Sequence, residues 1–275
     1  MNLAAIDWLP TPPPGTPGWL YIGALSLAVV VIGIAKSGFG GGVGIVAVPL
    51  VMVALPPGRA LGVMLPILIV ADALAVVQHR RHRSWPHLRP ALIGGAIGIV
   101  LGTAALLTLV AMDRSGGRQD LVQDVLSFFV GAVCMVLVGL QVYRLTGRKV
   151  PPLPGNKPTG ITVGGLAGFT STLAHAAGPI MSVYWLEQRM SKQVLTGSLV
   201  LFFVIVNVGK LPSYLMLGWI SPTTLIESAL FALAVPVGSL LGIAMHHRIP
   251  EKPFMAVMYV GAAVAGLWLM VRSAL

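Results

Sequence analysis

Charged side chains are scarce in this chain. Asp, Glu, Lys and Arg make up 9% of its 275 residues, while 56% are hydrophobic. A soluble domain carries about 25% charged residues. A water-soluble fold of this length would leave broad apolar surface facing water, so the composition excludes the ordinary soluble classes. Cysteine is limited to Cys134, which excludes an intrachain disulfide; it lies within an apolar run and is read as a packing residue. Carboxylates number 8 against 18 Lys and Arg, giving a net charge of +10. That imbalance does not indicate nucleic acid, because no basic run is interleaved with aromatic side chains. Residues 1–17 carry Asp7 and no Lys or Arg. They lack the positive start and early apolar core of a secretory signal and are read as an external tail with an extended Pro run.

Long apolar runs, by contrast, are plentiful. A helix needs about 20 apolar residues to cross a bilayer. Ten hydrophobic segments emerge, at 18–36, 41–56, 59–78, 88–112, 120–144, 160–174, 177–188, 192–214, 223–245 and 253–272. The 33 Gly and 21 Pro fit membrane helices better than soluble ones. The sequence therefore predicts an all-α integral membrane protein of 8–10 hydrophobic helices. The first two segments of each half are short or interrupted by Gly or Pro, and are expected to be broken or re-entrant.

The basic residues give the orientation. Arg80, Arg81, Arg83, Arg89, Arg144, Arg148, Lys149, Lys157, Arg189, Lys192, Arg248 and Lys252 fall on one side under strict alternation. Arg59, Arg114, Arg118 and Arg272 fall on the other, while Lys36 and Lys210 are left at membrane depth. Twelve against four is the cytoplasmic bias of Lys and Arg, and it predicts both termini outside.

The chain also repeats weakly. At an offset of 130 residues, Gly38 and Phe39 fall on Gly168 and Phe169, Pro49 on Pro179, and Arg59 on Arg189. Later the offset drifts to 140, with Gly98 and Gly102 on Gly238 and Gly242. Five segments per half is odd, so the halves are expected to be inverted repeats, a recurring plan of secondary transporters. The expected layout is an external tail at 1–17, a first repeat at 18–144, a cytoplasmic linker at 145–159 and a second repeat at 160–275.

Several stretches could carry chemistry. IAKSGFGGGVGIVAVP, residues 34–49, holds Gly38, Gly40, Gly41, Gly42 and Gly44, which are too flexible for a lipid-facing helix. Unwound backbone at membrane depth is tolerated only where it is buried in protein or lines a cavity. A helix resuming near Val43 would aim its N–H groups at that cavity and attract an anion, with Lys36 and Ser37 beside it. Close helix packing through small residues is the alternative. The stretch is no phosphate loop, which needs Gly-Lys-Ser/Thr after four spacer residues and a preceding strand.

GLAGFTSTLAHAAGP, residues 165–179, stands at the equivalent place in the second half. Thr170, Ser171, Thr172 and His175 supply hydroxyl and imidazole groups there, next to Gly178. Alternatively, the hydroxyls bond their own helix and His175 is a satisfied core histidine. Asn207 and Lys210 are three apart and share a helix face. A lysine in a membrane segment faces a cavity or a partner, unless it snorkels to the interface. Asp72 is a carboxylate deep in an apolar run; it either carries a proton or pairs with Lys36 or Lys210. Glu227 lies nearer an interface and says less. Asp72 and His175 are the candidates for proton coupling.

His79, His82, His87, His246 and His247 are irregularly spaced and interleaved with Arg. They read as basic loop residues rather than a metal-binding set. No metal, cofactor or catalytic residue is predicted. Gly94, Gly98 and Gly102, with Gly238 and Gly242, form G-x-x-x-G helix-contact surfaces.

With these pieces in order, the chain resembles the sulfite exporter TauE/SafE family, also called the toluene sulfonate uptake permeases. KSGFGGGVGIVAVP after the first span, GRALGVMLPI, the basic loop before GGAIGIVLG, and GLAGFTSTLAHAAGP carry the resemblance, which covers residues 20–272. It implies a bacterial inner-membrane transporter of sulfur-containing anions such as sulfite, sulfoacetate or related sulfonates. It also implies paired repeats with broken helices, matched here at 38–42 with Pro49 and at 168–172 with Pro179. His175 stands where another small residue is expected.

The expected function is a secondary transporter that holds a small anion between the halves and moves it by alternating access. Its partners would be that anion and the lipid bilayer, without nucleic acid; a homodimer is left open. A passive anion channel and a membrane-embedded metal enzyme are the alternatives.

Overall fold

The computed structural model describes residues 10–38, 46–79, 82–114, 120–146, 153–248 and 251–274. Among these residues are twelve helices and no strand. The first half holds α1 (Gly18–Gly38), α2 (Ala47–Met52), α3 (Pro57–His79), α4 (Trp85–Arg114) and α5 (Leu121–Leu145). The second holds α6 (Lys157–Ala174), α7 (Ala177–Leu186), α8 (Lys192–Gly209), α9 (Leu211–Met216), α10 (Pro222–Ala232), α11 (Val235–Arg248) and α12 (Glu251–Ala274).

Every one of the ten predicted segments contains helix. Two of them are each broken in two, which raises the number of helices above the expected 8–10. Proline causes both breaks. Its ring collides with the carbonyl four residues back and it lacks a donor. Pro212 stands just past the break between α8 and α9, and Pro236 just past that between α10 and α11.

The expectation of interruption applies unevenly. α1 runs unbroken for 21 residues, and α6 for 18. Within each opening pair, the second helix is the short one. α7 has 10 residues, while α2 has 6; Gly40, Gly41, Gly42 and Val43, before α2, lie outside the described residues.

Seven helical stretches among the described residues are long and apolar enough to cross a membrane: Gly18–Lys36, Pro57–Val77, Trp85–Arg114, Leu121–Tyr143, Lys192–Met216, Pro222–Ala244 and Met255–Ala274. The chain is a multi-pass membrane protein. α1, α3 and α8 are the more buried of these, whereas α4, α5 and α12 form an outer layer. On that layer Val100, Val136 and Val264 are exposed. Such apolar surface is suited to lipid rather than water.

Glycine lets the helices touch. α4 packs along α6, and α11 along α1. A Cβ at Gly98 would fall 2.1 Å from the Gly165 carbonyl oxygen, and one at Gly238 2.4 Å from that of Val30. Only a residue without a side chain allows backbones this close.

At the end where α3 and α10 begin, a polar clasp joins the halves. Tyr21 Oη donates to Glu227 Oε1 at 2.5 Å. Arg59 Nε donates to Glu227 Oε2 at 3.1 Å, and another Arg59 nitrogen donates to the Thr11 carbonyl at 2.9 Å. The buried carboxylate is therefore paired as well as hydrogen-bonded, which burial demands.

Candidate functional site

The site begins where α6 stops. His175 caps α6 in the left-handed region, with φ of 51° and ψ of 29°. That conformation is uncommon for a residue with a Cβ, and it is strained unless its surroundings hold it. Here both ring nitrogens are held. Nε2 lies 3.1 Å from the Leu61 carbonyl oxygen of α3, and Nδ1 lies 2.8 Å from Lys210 Nζ. A carbonyl can only accept, so Nε2 carries the hydrogen and Nδ1 accepts from Lys210.

Lys210 sits at the break between α8 and α9 and is fully buried. It does not snorkel. Besides His175, it donates to the Ser171 carbonyl at 3.1 Å and shares a 2.9 Å hydrogen bond with Ser171 Oγ. These groups are at the C-terminus of α6, where the helix dipole favours a cation. Tyr214 Oη donates to the next carbonyl, Thr172, at 2.8 Å, so two of the carbonyls in the last turn gain side-chain partners.

Opposite stands a second charged group. Asp72 of α3 is fully buried. One of its oxygens forms an ion pair with Lys36 Nζ in the last turn of α1. The other accepts from Asn207 Nδ2 at 2.6 Å. Asp72 thus ties α1 to α8 across the two halves. The Lys36 side chain is 12% exposed, and its ammonium lies 4.3 Å from the centroid of the Phe203 ring, a cation–π arrangement.

Between the two clusters lies a cavity of about 40 Å³. Its polar wall is Lys36, Asn207, Ser171 and His175, and its floor includes Ala177, Gly178 and Pro179 from the first turn of α7. Among the described residues no side chain caps α7, so the N–H groups of Ala177 and Gly178 carry no side-chain cap, and Pro179 has no N–H. Phe203, Met64 and Leu68 supply apolar wall. The volume is about three times the ~10–15 Å³ that one buried water needs.

Of the residues expected at the site, Lys36, Ser171, His175, Gly178 and Asn207 line this cavity, and Lys210 and Asp72 stand directly behind it. Thr170 and Thr172 do not line it. The Thr170 hydroxyl donates to the Leu166 carbonyl at 2.8 Å, and the Thr172 hydroxyl to that of Gly168 at 2.8 Å. Both use the back-bond a membrane helix offers a threonine. Gly38 ends α1; Gly40, Gly41 and Gly42 lie outside the described residues, as does the Ser37 side chain.

Sequence reasoning missed Phe203 and Tyr214. Each lies four residues from a singled-out polar residue, Asn207 and Lys210 respectively, so helical spacing was the available signal. The Leu61 carbonyl had none. Among the described residues, no group of His, Cys, Asp or Glu is arranged to hold a metal.

A family model described as sulfite exporter TauE/SafE matches residues 25–269. No curated protein and no solved structure matches the chain. The matched stretch takes in every residue that lines the cavity and both lysines beside it, and the chain belongs to the sulfite exporter TauE/SafE family of membrane transporters.

Proposed function

We propose that the protein is a secondary transporter of small sulfur-containing anions, such as sulfite, sulfoacetate or other organosulfonates, and that the cavity beside Lys36 is where the anion is held. One observation supports this most. A membrane-embedded cavity presents an ammonium, an amide, a hydroxyl and an uncapped helix N-terminus together. Charge-assisted donors and helix N-termini suit an oxyanion, and placing them at membrane depth is expensive without a ligand.

In this reading the two halves are inverted repeats that rock around the site, with both termini outside the bacterial inner membrane. The pairing of α4 with α6 and of α1 with α11 is what such a repeat produces when its halves are exchanged, and α5 with α12 is its own counterpart. A coupling proton would be carried at His175, whose Nδ1 faces Lys210, or at Asp72.

The test uses purified full-length protein. At a ligand concentration of 100 times Kd, one of sulfite, sulfoacetate, taurine or sulfate is expected to stabilise it by about 2.7 kcal/mol in a thermal-shift series. In proteoliposomes the same anion accumulates against its gradient when a proton gradient is imposed. Absence of any ligand shift would sink the anion reading, and flux that only runs downhill would indicate a channel. His175→Asn is expected to remove the pH dependence of uptake; a pH profile matching the wild type rules His175 out as the proton carrier.

A further inference from the structure

The buried polar cluster is one carboxylate short. Two lysines, Lys36 and Lys210, stand around the cavity with a single aspartate, Asp72. Asp72 is committed to Lys36 and Asn207. The partners that Lys210 touches, Ser171 and His175, are neutral.

Among the described residues, no other group makes up the difference. In the tautomer that its two hydrogen bonds require, His175 contributes no charge, so the count is that of the site before a coupling proton is taken up. Residues 37–47 contain no charged side chain. Glu227 belongs to the separate clasp with Arg59 and Tyr21. The C-terminus of α6 and the N-terminus of α7 bring about half a charge each, of opposite sign, and nearly cancel.

A buried charge needs a partner, and an unbalanced one is strongly disfavoured. One negative charge in the cavity balances the two lysines and Asp72. Two would leave the occupied site with an excess buried charge. Lys210 enters the count as an ammonium, because its three hydrogen bonds, to the Ser171 carbonyl, Ser171 Oγ and His175 Nδ1, use the three donors of the charged form.

We propose that the site selects by valence: it takes a singly charged anion, such as hydrogensulfite or a monosulfonate, in preference to a doubly charged one such as sulfate or a sulfocarboxylate, and Asp72 sets that preference. This rests on the anion-site reading above and narrows its substrate class. Asp72 is a positioning residue here. It does not line the cavity but stands behind Lys36 and Asn207. Replacing it with Asn changes the charge of the site while leaving the cavity wall in place.

Methanesulfonate and sulfate share a tetrahedral shape and differ in charge, so they separate valence from fit. Their binding is measured by calorimetry on the full-length protein in lipid nanodiscs at matched ionic strength. The wild type is expected to bind methanesulfonate at least about tenfold more tightly, and Asp72→Asn to move that ratio at least about tenfold towards sulfate. A wild type that binds sulfate as tightly as methanesulfonate overturns the valence rule and leaves the anion site standing. A folded Asp72→Asn with an unchanged ratio overturns the role of Asp72. A folded wild type that binds neither ligand, nor any of the sulfur anions above, overturns the anion site and the valence rule together. The wild-type comparison needs no variant, so misfolding of Asp72→Asn does not protect the proposal.

Discussion

Lys36→Gln is expected to lower the initial rate of anion uptake about 100-fold, the largest functional effect of any single change at the site. The substitution acts twice. It removes the ammonium that lines the cavity, and it leaves Asp72 as a buried carboxylate held, among the described residues, by Asn207. A buried charge stripped of its partner destabilises by about 3–5 kcal/mol, so loss of uptake alone would not separate binding from folding. The double variant Lys36→Gln/Asp72→Asn does so. Removing both charges relieves the unpaired carboxylate and is expected to recover most of the melting temperature, while uptake stays low. Uptake by Lys36→Gln above half the wild-type rate, measured per folded protein in proteoliposomes, would remove Lys36 from the site.

Gly98→Leu is expected to have the largest structural effect. A Cβ at Gly98 would meet the Gly165 carbonyl oxygen at 2.1 Å and the Phe169 backbone nitrogen at 2.6 Å. Neither is a flexible side chain that could give way. α4 and α6 would have to separate along their length, since Gly94 and Gly168 make equally close approaches, at 1.9 Å from the Ile161 oxygen and 2.3 Å from the Gly95 oxygen. Overpacking a well-filled interface costs about 1–3 kcal/mol even where side chains can adjust. Here backbone opposes backbone, and monodisperse protein should be lost. α6 also carries Ser171 and His175, so milder separation, as in Gly98→Ala, is expected to weaken anion binding too. Gly139→Ala is the control, because a Cβ there meets nothing within 4 Å. Equal melting temperatures for Gly98→Leu and Gly139→Ala would contradict the packing account.

Much of the candidate site is legible in the sequence because membrane depth makes polar residues conspicuous. Lys36, Asp72, Asn207 and Lys210 interrupt apolar runs, and each is costly there unless it has a partner. Pairing of Asp72 with Lys36 was one of the two ion pairs that the sequence left open. The hydroxyls were harder to read. Thr170, Ser171 and Thr172 are consecutive and chemically alike, yet only Ser171 faces the cavity and Lys210. Successive helix positions are about 100° apart, so one of three neighbours points inward, and the sequence does not say which. His175 looked out of place among small residues. The left-handed backbone at that position, normally suited to glycine, gives the reason.

By itself, the sequence determined the solvent, the all-helical class, and the glycine faces through which helices meet. These follow from local properties: hydropathy over a span, and the absence of side chains at a regular interval. Only the tertiary structure decided that Lys210 is buried rather than snorkelling, that Asp72 bridges α1 and α8, and that α6 and α7 part around a cavity. Those outcomes depend on which helix lies beside which. A buried charge takes whatever partner the packing brings within reach, and residues far apart in sequence, such as Asp72 and Asn207, become neighbours only when the helices assemble.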